Sequence, residues 1–206
     1  MPPNTREGRP FAVQPAESLL TIRVYRGGTL ARMGHNHVVA SHDLSGTVYV
    51  PADLTRAAFE LHVPVARLTV DEAQLRAEAG PDFPPEVPES AKEGTRRNML
   101  SEALLDAEHY PEIVLRAERV DVAGPNELLA QVLLTVKGQT RPLTVPIHYE
   151  LAADALTASG ELSIKHSDLG LTPFSALMGA MQVQDEMRIR FRIHCTPSSL
   201  ESSRAP

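Results

Sequence analysis

The sequence predicts an all-β protein, an antiparallel eight-stranded barrel with short helices and loops closing it. Three observations carry this. Apolar residues alternate with polar ones in run after run, the period of a strand with one buried and one solvated face. Turn-forming residues separate neighbouring runs, as antiparallel succession requires. Several runs exceed ten residues, which suits a tall, curled sheet better than a sandwich.

Taken in order, the strands fall at roughly 19–26, 37–43, 45–50, 57–65, 112–122, 127–137, 141–151 and 155–165, with 186–195 as a ninth or as the closing eighth. The last run is the clearest: Met187, Ile189, Phe191 and Ile193 alternate with Arg188, Arg190, Arg192 and His194. Leu143, Val145, Ile147, Tyr149 and Leu151 alternate in the same way with Thr144, Pro146, His148 and Glu150. Phe59 to Val65, Leu128 to Val136 and Leu156 to Ile164 repeat the pattern. Lys137-Gly138 and Gly124-Pro125-Asn126 are the turns between successive runs.

Two stretches interrupt the alternation. Residues 71–95 hold Pro81, Pro84, Pro85 and Pro88 and read as a loop with short helical pieces, followed from Pro88 to Leu100 by a face of Ala91, Met99 and Leu100. Residues 166–183 place Phe174, Leu177, Met178 and Met181 at helical spacing behind a Thr172-Pro173 start signal. Both segments are read either as lids over the barrel mouth or as plugs packed on the sheet. A length of 206 residues fits one domain. The barrel is placed at 18–196, between Pro- and Ser-rich ends at 1–17 and 197–206 that are expected to be flexible.

Composition narrows the functional classes. Lys and Arg number 20 against 26 Asp and Glu, a net charge of −6, the wrong sign for a nucleic-acid binder. There is no Trp, and aromatic residues make up 4%, which also argues against base stacking. No apolar stretch is long enough to cross a bilayer as a helix, and no secretory signal is visible. A cytoplasmic location is therefore expected, or an extracytoplasmic one if a signal has been removed. The single cysteine, Cys195, falls on the apolar parity of the last strand and reads as buried and inert.

Signatures of common catalytic chemistry are lacking: no nucleophile elbow, phosphate-binding glycine loop, dinucleotide fingerprint or zinc-protease helix occurs. The protein is therefore expected not to be an enzyme. The acidic pairs Asp71/Glu72 and Asp185/Glu186 read as solvated charge at turns. His62, His148 and His194 lie on polar strand parity, and His109 lies in a loop. His35 and His37 are two apart and share a face if extended, with His166 as a candidate third neighbour; His42 has the opposite parity. The His35-Asn36-His37 element has three readings: a turn bonding backbone groups, a polar gate for a ligand head group, or a metal or haem site with His166.

Three ordered motifs resemble those of the YceI-like family of lipocalin-like polyisoprenoid-binding proteins. They are Tyr110-Pro111 before a strand, Leu134-Thr135-Val136-Lys137-Gly138-Gln139-Thr140-Arg141-Pro142 across a hairpin, and Asp168-Leu169-Gly170 leading to Asp185-Glu186-Met187 in the closing strand. The likeness spans about residues 20–195. The chain departs from the family pattern at Leu19 to His37, at Thr95 to Leu100 and in a long Pro-rich insertion, and so resembles a divergent branch with a Gly34-His35-Asn36-His37 element. The resemblance implies a lipocalin-like barrel with a long internal tunnel, and homodimers and export are frequent among members.

The leading functional reading is a carrier or sequestering protein for a long-chain apolar amphiphile: a polyisoprenoid, an isoprenoid quinone or a fatty-acid derivative. No cofactor is expected beyond such a bound lipid, and no nucleic-acid partner. Each buried methylene contributes on the order of 0.8 kcal/mol, so a plain aliphatic wall can hold such a chain. The residues expected at the barrel lining and mouth are Met33, His35, His37, Met99, His166, Phe174, Leu177, Met178 and Met181. Two alternatives stand beside it: a metal- or haem-binding barrel using His35, His37 and His166, and a ligand-free structural barrel.

Overall fold

The computed structural model describes residues 7–198. The outer parts of the two expected tails, residues 1–6 and 199–206, lie outside the described residues. The strands are β1 (Arg9–Val13), β2 (Leu19–Gly27), β3 (His37–Ser41), β4 (Ser45–Val50), β5 (Ala58–Pro64), β6 (Thr69–Val70), β7 (Glu112–Gly124), β8 (Glu127–Val136), β9 (Gln139–Leu151), β10 (Leu156–Lys165), β11 (Ser175–Ala176) and β12 (Met181–Pro197). Two α-helices, α1 (Ala73–Ala79) and α2 (Glu89–Leu100), lie between β6 and β7.

These strands close into one antiparallel barrel of eight staves. Around the ring run β1, β4, β5, β7, β8, β9, β10 and β12, and β12 pairs back onto β1. Three staves are broken: β2 continues β1 along β12, β3 continues β4 along β2, and β6 continues β5 along β3. Closure removes the free edges that an open sheet of this length would expose.

Strand parity builds the interior. On β12, Met187, Ile193 and Cys195 are buried while Arg188, Arg190 and Arg192 face outward. On β7 the inward set changes parity, from Ile113 and Leu115 to Val120, because Glu118 is an extra residue between the Ala117–Val132 and Arg119–Gln131 pairs. At the β8–β9 turn Lys137 (φ 47) and Gly138 (φ 70) both take left-handed conformations, the geometry of a two-residue hairpin. A Cβ on Gly138 would lie 2.6 Å from the Tyr110 ring, so the Tyr-Pro element packs directly on this turn.

The structure departs from the sequence expectations in two places. Residues 9–13, assigned to a flexible N-terminal end, form β1 and close the barrel. Five residues that include Pro10 and end just before Gln14-Pro15 show too little alternation to read, and the partners that hold them, Thr47–Val50 and Cys195–Pro197, are remote in sequence. The helix expected within 166–183 does not form. Residues 167–169 and 177–179 make single 3-10 turns, and Leu177 (φ 51), Met178 (φ 55), Gly170 (φ 73) and Gly179 (φ 87) adopt left-handed conformations that stop a helix. Met181 then begins β12, drawn into the sheet by Gln182 opposite Gly27.

Two glycines are expected to respond oppositely to alanine. Gly138→Ala forces a Cβ against Tyr110 at positive φ and should cost about 1–3 kcal/mol. Gly94→Ala, inside α2 with nothing near the added carbon, should stabilise by about 0.5–1 kcal/mol. Urea unfolding of both variants checks the pair; changes of the same sign would contradict this packing.

Candidate functional site: an apolar tunnel with a buried His-Asp-Arg network beside one end

The inward residues enclose a cavity of about 370 Å³, within the range of roughly 300–1,000 Å³ typical of small-molecule sites. It extends from the α2 end, at His37, Met99 and His166, to Leu128, Ile147 and Leu151 at the opposite end. Aliphatic side chains dominate the wall. No Asp, Glu, Lys or Arg among the described residues lines it. Cys195 is fully buried in this wall, and burial pushes its thiol up to about 12, so it is not a thiolate nucleophile.

The polar groups on the wall are concentrated at the α2 end: His37, Thr95, Asn98 and His166, with Tyr149 near the other end. His37 begins β3. Its Nδ1–H donates to Asp71 Oδ2 at 2.6 Å, and its Nε2 accepts from Thr95 Oγ1 at 3.2 Å. Asp71 sits just after β6 at φ 57, a conformation that Asp tolerates better than most residues. Its carboxylate is completely buried and also accepts from the Val38 N–H at 2.9 Å and from Arg76 Nη1 at 2.6 Å. Burial alone would raise the Asp71 pKa. Hydrogen bonds from His37, the Val38 N–H and Arg76 outweigh that and hold the carboxyl below its ordinary value.

Arg76, on α1, is 1% exposed and spends its donors inside the protein. Besides Asp71 it bonds the Asn36 carbonyl at 2.7 Å and the Pro84 carbonyl at 2.6 Å, and it lies over the Phe83 ring. Phe83 meets Tyr25 edge-on at 5.5 Å and packs with Val38, Ala40 and Leu75. The Pro-rich insertion thus divides. Its first part, with α1, buttresses the outer face of β3, whereas α2 brings Thr95, Asn98 and Met99 over the barrel end.

The expected site residues separate accordingly. His37, Met99, His166 and Phe174 lie on the cavity wall. His35 lies outside the wall, 6.1 Å from His37 between ring centroids; partial burial, with His37 and Arg76, lowers its pKa. Met33 and Leu177 are 66% and 63% exposed, Met178 is wholly exposed and Met181 is half-buried at the start of β12. None of these four lies on the cavity wall: Leu177 and Met178 belong to the stretch that failed to become a helix, Met33 to the turn before β3 and Met181 to the first position of β12. Among the described residues no three His, Cys, Asp or Glu side chains cluster at metal-ligand range, so His166 does not complete a set with His35 and His37.

Asp71 corrects the reading of solvated turn charge: it is the most connected acid at the site. Asp71, Arg76, Thr95 and Asn98 carry no sequence signal for the roles they take here, because their contacts are made across the insertion. Asp185 is likewise engaged, accepting from Ser167 N at 2.9 Å and Ser167 Oγ, and those bonds lower its pKa.

Asp71→Asn leaves Arg76 buried without its counter-charge and should cost about 3–5 kcal/mol at neutral pH. Because the folded Asp71 pKa is depressed, its contribution is fully present above the unfolded value near 3.8 and fades as pH falls through the lower folded value. The gap between wild type and Asp71→Asn should therefore be constant at higher pH and narrow in acid. Denaturation curves across that range would show it; a gap that widens on acidification contradicts the assignment.

The comparisons agree with this geometry. The family model described as the YceI-like domain matches residues 11–195. The crystal structure of BcnA from Burkholderia cenocepacia superposes with a TM-score of 0.66 at 20% identity, covering 89% of this chain and 99% of that one. A polyisoprenoid binding domain from Saccharophagus degradans, implicated in plant cell wall breakdown, gives 0.57 at 12% identity over 91% and 98%. The Campylobacter jejuni YCEI protein gives 0.56 at 11% identity over 76% and 82%. No curated protein matches the sequence. An eight-stave lipocalin-like barrel and a match to the family model over nearly the whole body lead to one conclusion: the chain belongs to the YceI-like family.

Proposed function

We propose that the protein is a non-catalytic carrier or sequestering protein that holds a long-chain apolar amphiphile, such as a polyisoprenoid, an isoprenoid quinone or a fatty-acid derivative, inside the barrel. One observation carries the proposal: a cavity with no charged side chain among the described residues on its wall and its polar groups gathered mainly at one end. Such a wall gives a hydrocarbon chain favourable burial along its length, while the polar end suits the ligand's head. The Saccharophagus domain, described as polyisoprenoid binding, supports the same class of ligand.

Binding is favoured over catalysis by what surrounds Thr95. The series Thr95–His37–Asp71 has the connectivity of a nucleophile, base and orienting acid. Acyl transfer also needs donors aimed at a developing oxyanion. Thr95 lies in the interior of α2, where backbone N–H groups are consumed by the helix itself.

A chain-length series tests the proposal. With straight-chain alcohols competing against a fluorescent probe, each added methylene should tighten binding about fourfold until the tunnel is full. Ala158→Phe, which plants a ring on the wall, should end that trend at a shorter chain. Affinity independent of chain length in the wild type would contradict the proposal.

A further inference from the structure

We propose that the α2 end of the tunnel is a head-group site selective for an uncharged, hydroxyl-bearing head, with His37 and Thr95 as the contacting residues and Asp71 and Arg76 positioning His37 from behind. This rests on the carrier reading and narrows the ligand class within it.

The hydrogen-bond roles follow from the partners. Asp71 is a carboxylate that accepts here, so His37 Nδ1 carries the donated proton and its Nε2 turns to Thr95 and the cavity. The Thr95–His37 contact, 3.2 Å, is long for a hydroxyl donor. A ligand hydroxyl can stand between the two, donating to His37 Nε2 and accepting from Thr95 Oγ1. His166 is arranged in the same sense: its Nδ1–H donates to the Asp185 carbonyl at 2.8 Å, so Nε2 is the ring nitrogen left free of that bond in a residue on the same wall. Two imidazoles whose Nδ1 atoms are already engaged, with the Thr95 hydroxyl beside one of them, suit a head that carries a hydroxyl, which can both donate and accept.

Charge on the head is disfavoured from both sides. A phosphate or carboxylate entering this end would leave water without meeting a cation on the wall, since no Lys or Arg among the described residues lines the cavity. The cation behind His37, Arg76, is buried and committed to Asp71 and to the Asn36 and Pro84 carbonyls. A cationic head fares no better, because the Asp71 carboxylate is fully buried and already accepts from three donors. The two buried charges cancel, and the surface they support is neutral.

The test compares three ligands with the same prenyl chain: the alcohol, its monophosphate and the hydrocarbon without a head. Their affinities are measured by displacement of a fluorescent lipid probe from the full-length protein. The alcohol should bind about tenfold more tightly than the hydrocarbon, the worth of one net hydrogen bond, and also more tightly than the phosphate. His37→Leu should narrow the alcohol's advantage over the hydrocarbon to less than about threefold. Thr95→Val, a nearly isosteric change at a half-buried position that should fold even if His37→Leu does not, should narrow it in the same direction. Tighter binding of the phosphate, equal binding of alcohol and hydrocarbon, or hydrolysis of a prenyl ester that Thr95→Val abolishes would each overturn the head-group assignment. If neither these prenyl ligands nor the straight-chain alcohols bind at all, the carrier reading itself fails, and the head-group assignment falls with it.

Discussion

A carboxylate removed from water must find every compensating donor inside the protein, and the burial of Asp71 organises much of the barrel's α2 end. Its three donors come from three places: the His37 ring at the start of β3, the Val38 backbone beside it and Arg76 on α1. Arg76 in turn fastens the Asn36 carbonyl before the strand and the Pro84 carbonyl in the insertion. Sheet, helix and proline-rich loop thus share one pair of opposite charges. Such a pair gives little net stability compared with an apolar substitute, but removing one member exposes the full desolvation cost of the other. What it gives is position. The ring of His37 is fixed in one tautomer and one orientation, facing the tunnel.

The tunnel itself follows from parity. Inward residues on long staves are mostly Leu, Val and Ile, and the few rings that do face inward are accommodated individually. Phe191 is one: a Cβ on Gly160 would lie 2.7 Å from its ring, so the glycine of β10 makes room for it beside the wall. The three family motifs, far apart in sequence, meet where the barrel is held at its α2 end. Tyr110 covers the Lys137-Gly138 turn, the Gln139 side chain approaches Gly170, and Ser167 is bound by Asp185 in the irregular stretch of β12. Their spacing in the chain records the geometry of that end, and Leu134, Val136, Leu169 and Met187 within them also lie on the cavity wall.

The parts legible in the sequence are those fixed by local periodicity. Leu143 to Leu151 and Met187 to Ile193 reveal both their strands and their inward faces, because pairing with neighbours leaves the alternation intact. Residues 9–13 do not, since their strand exists only by virtue of partners at Thr47–Val50 and Cys195–Pro197. Phe174, Leu177, Met178 and Met181 have helical spacing, but left-handed residues and the pull of the sheet decide otherwise. The site shows the same division. His37, Met99, His166 and Phe174 could be named from their chemistry and position, whereas Asp71 looks like any acid at a turn. Its burial depends on α1 folding back onto β3 and on an arginine whose destination no periodicity encodes.

The central claim is that a single extended chain occupies the barrel with its head at His37. A crystal structure of the protein grown with a long-chain prenyl alcohol tests it most directly. Continuous density should run from His37 and Thr95 along the wall toward Leu128, with the hydroxyl oxygen within hydrogen-bond distance of His37 Nε2. A chain lying in the opposite direction, bound on the outer surface, or absent from a barrel filled by its own side chains would contradict it.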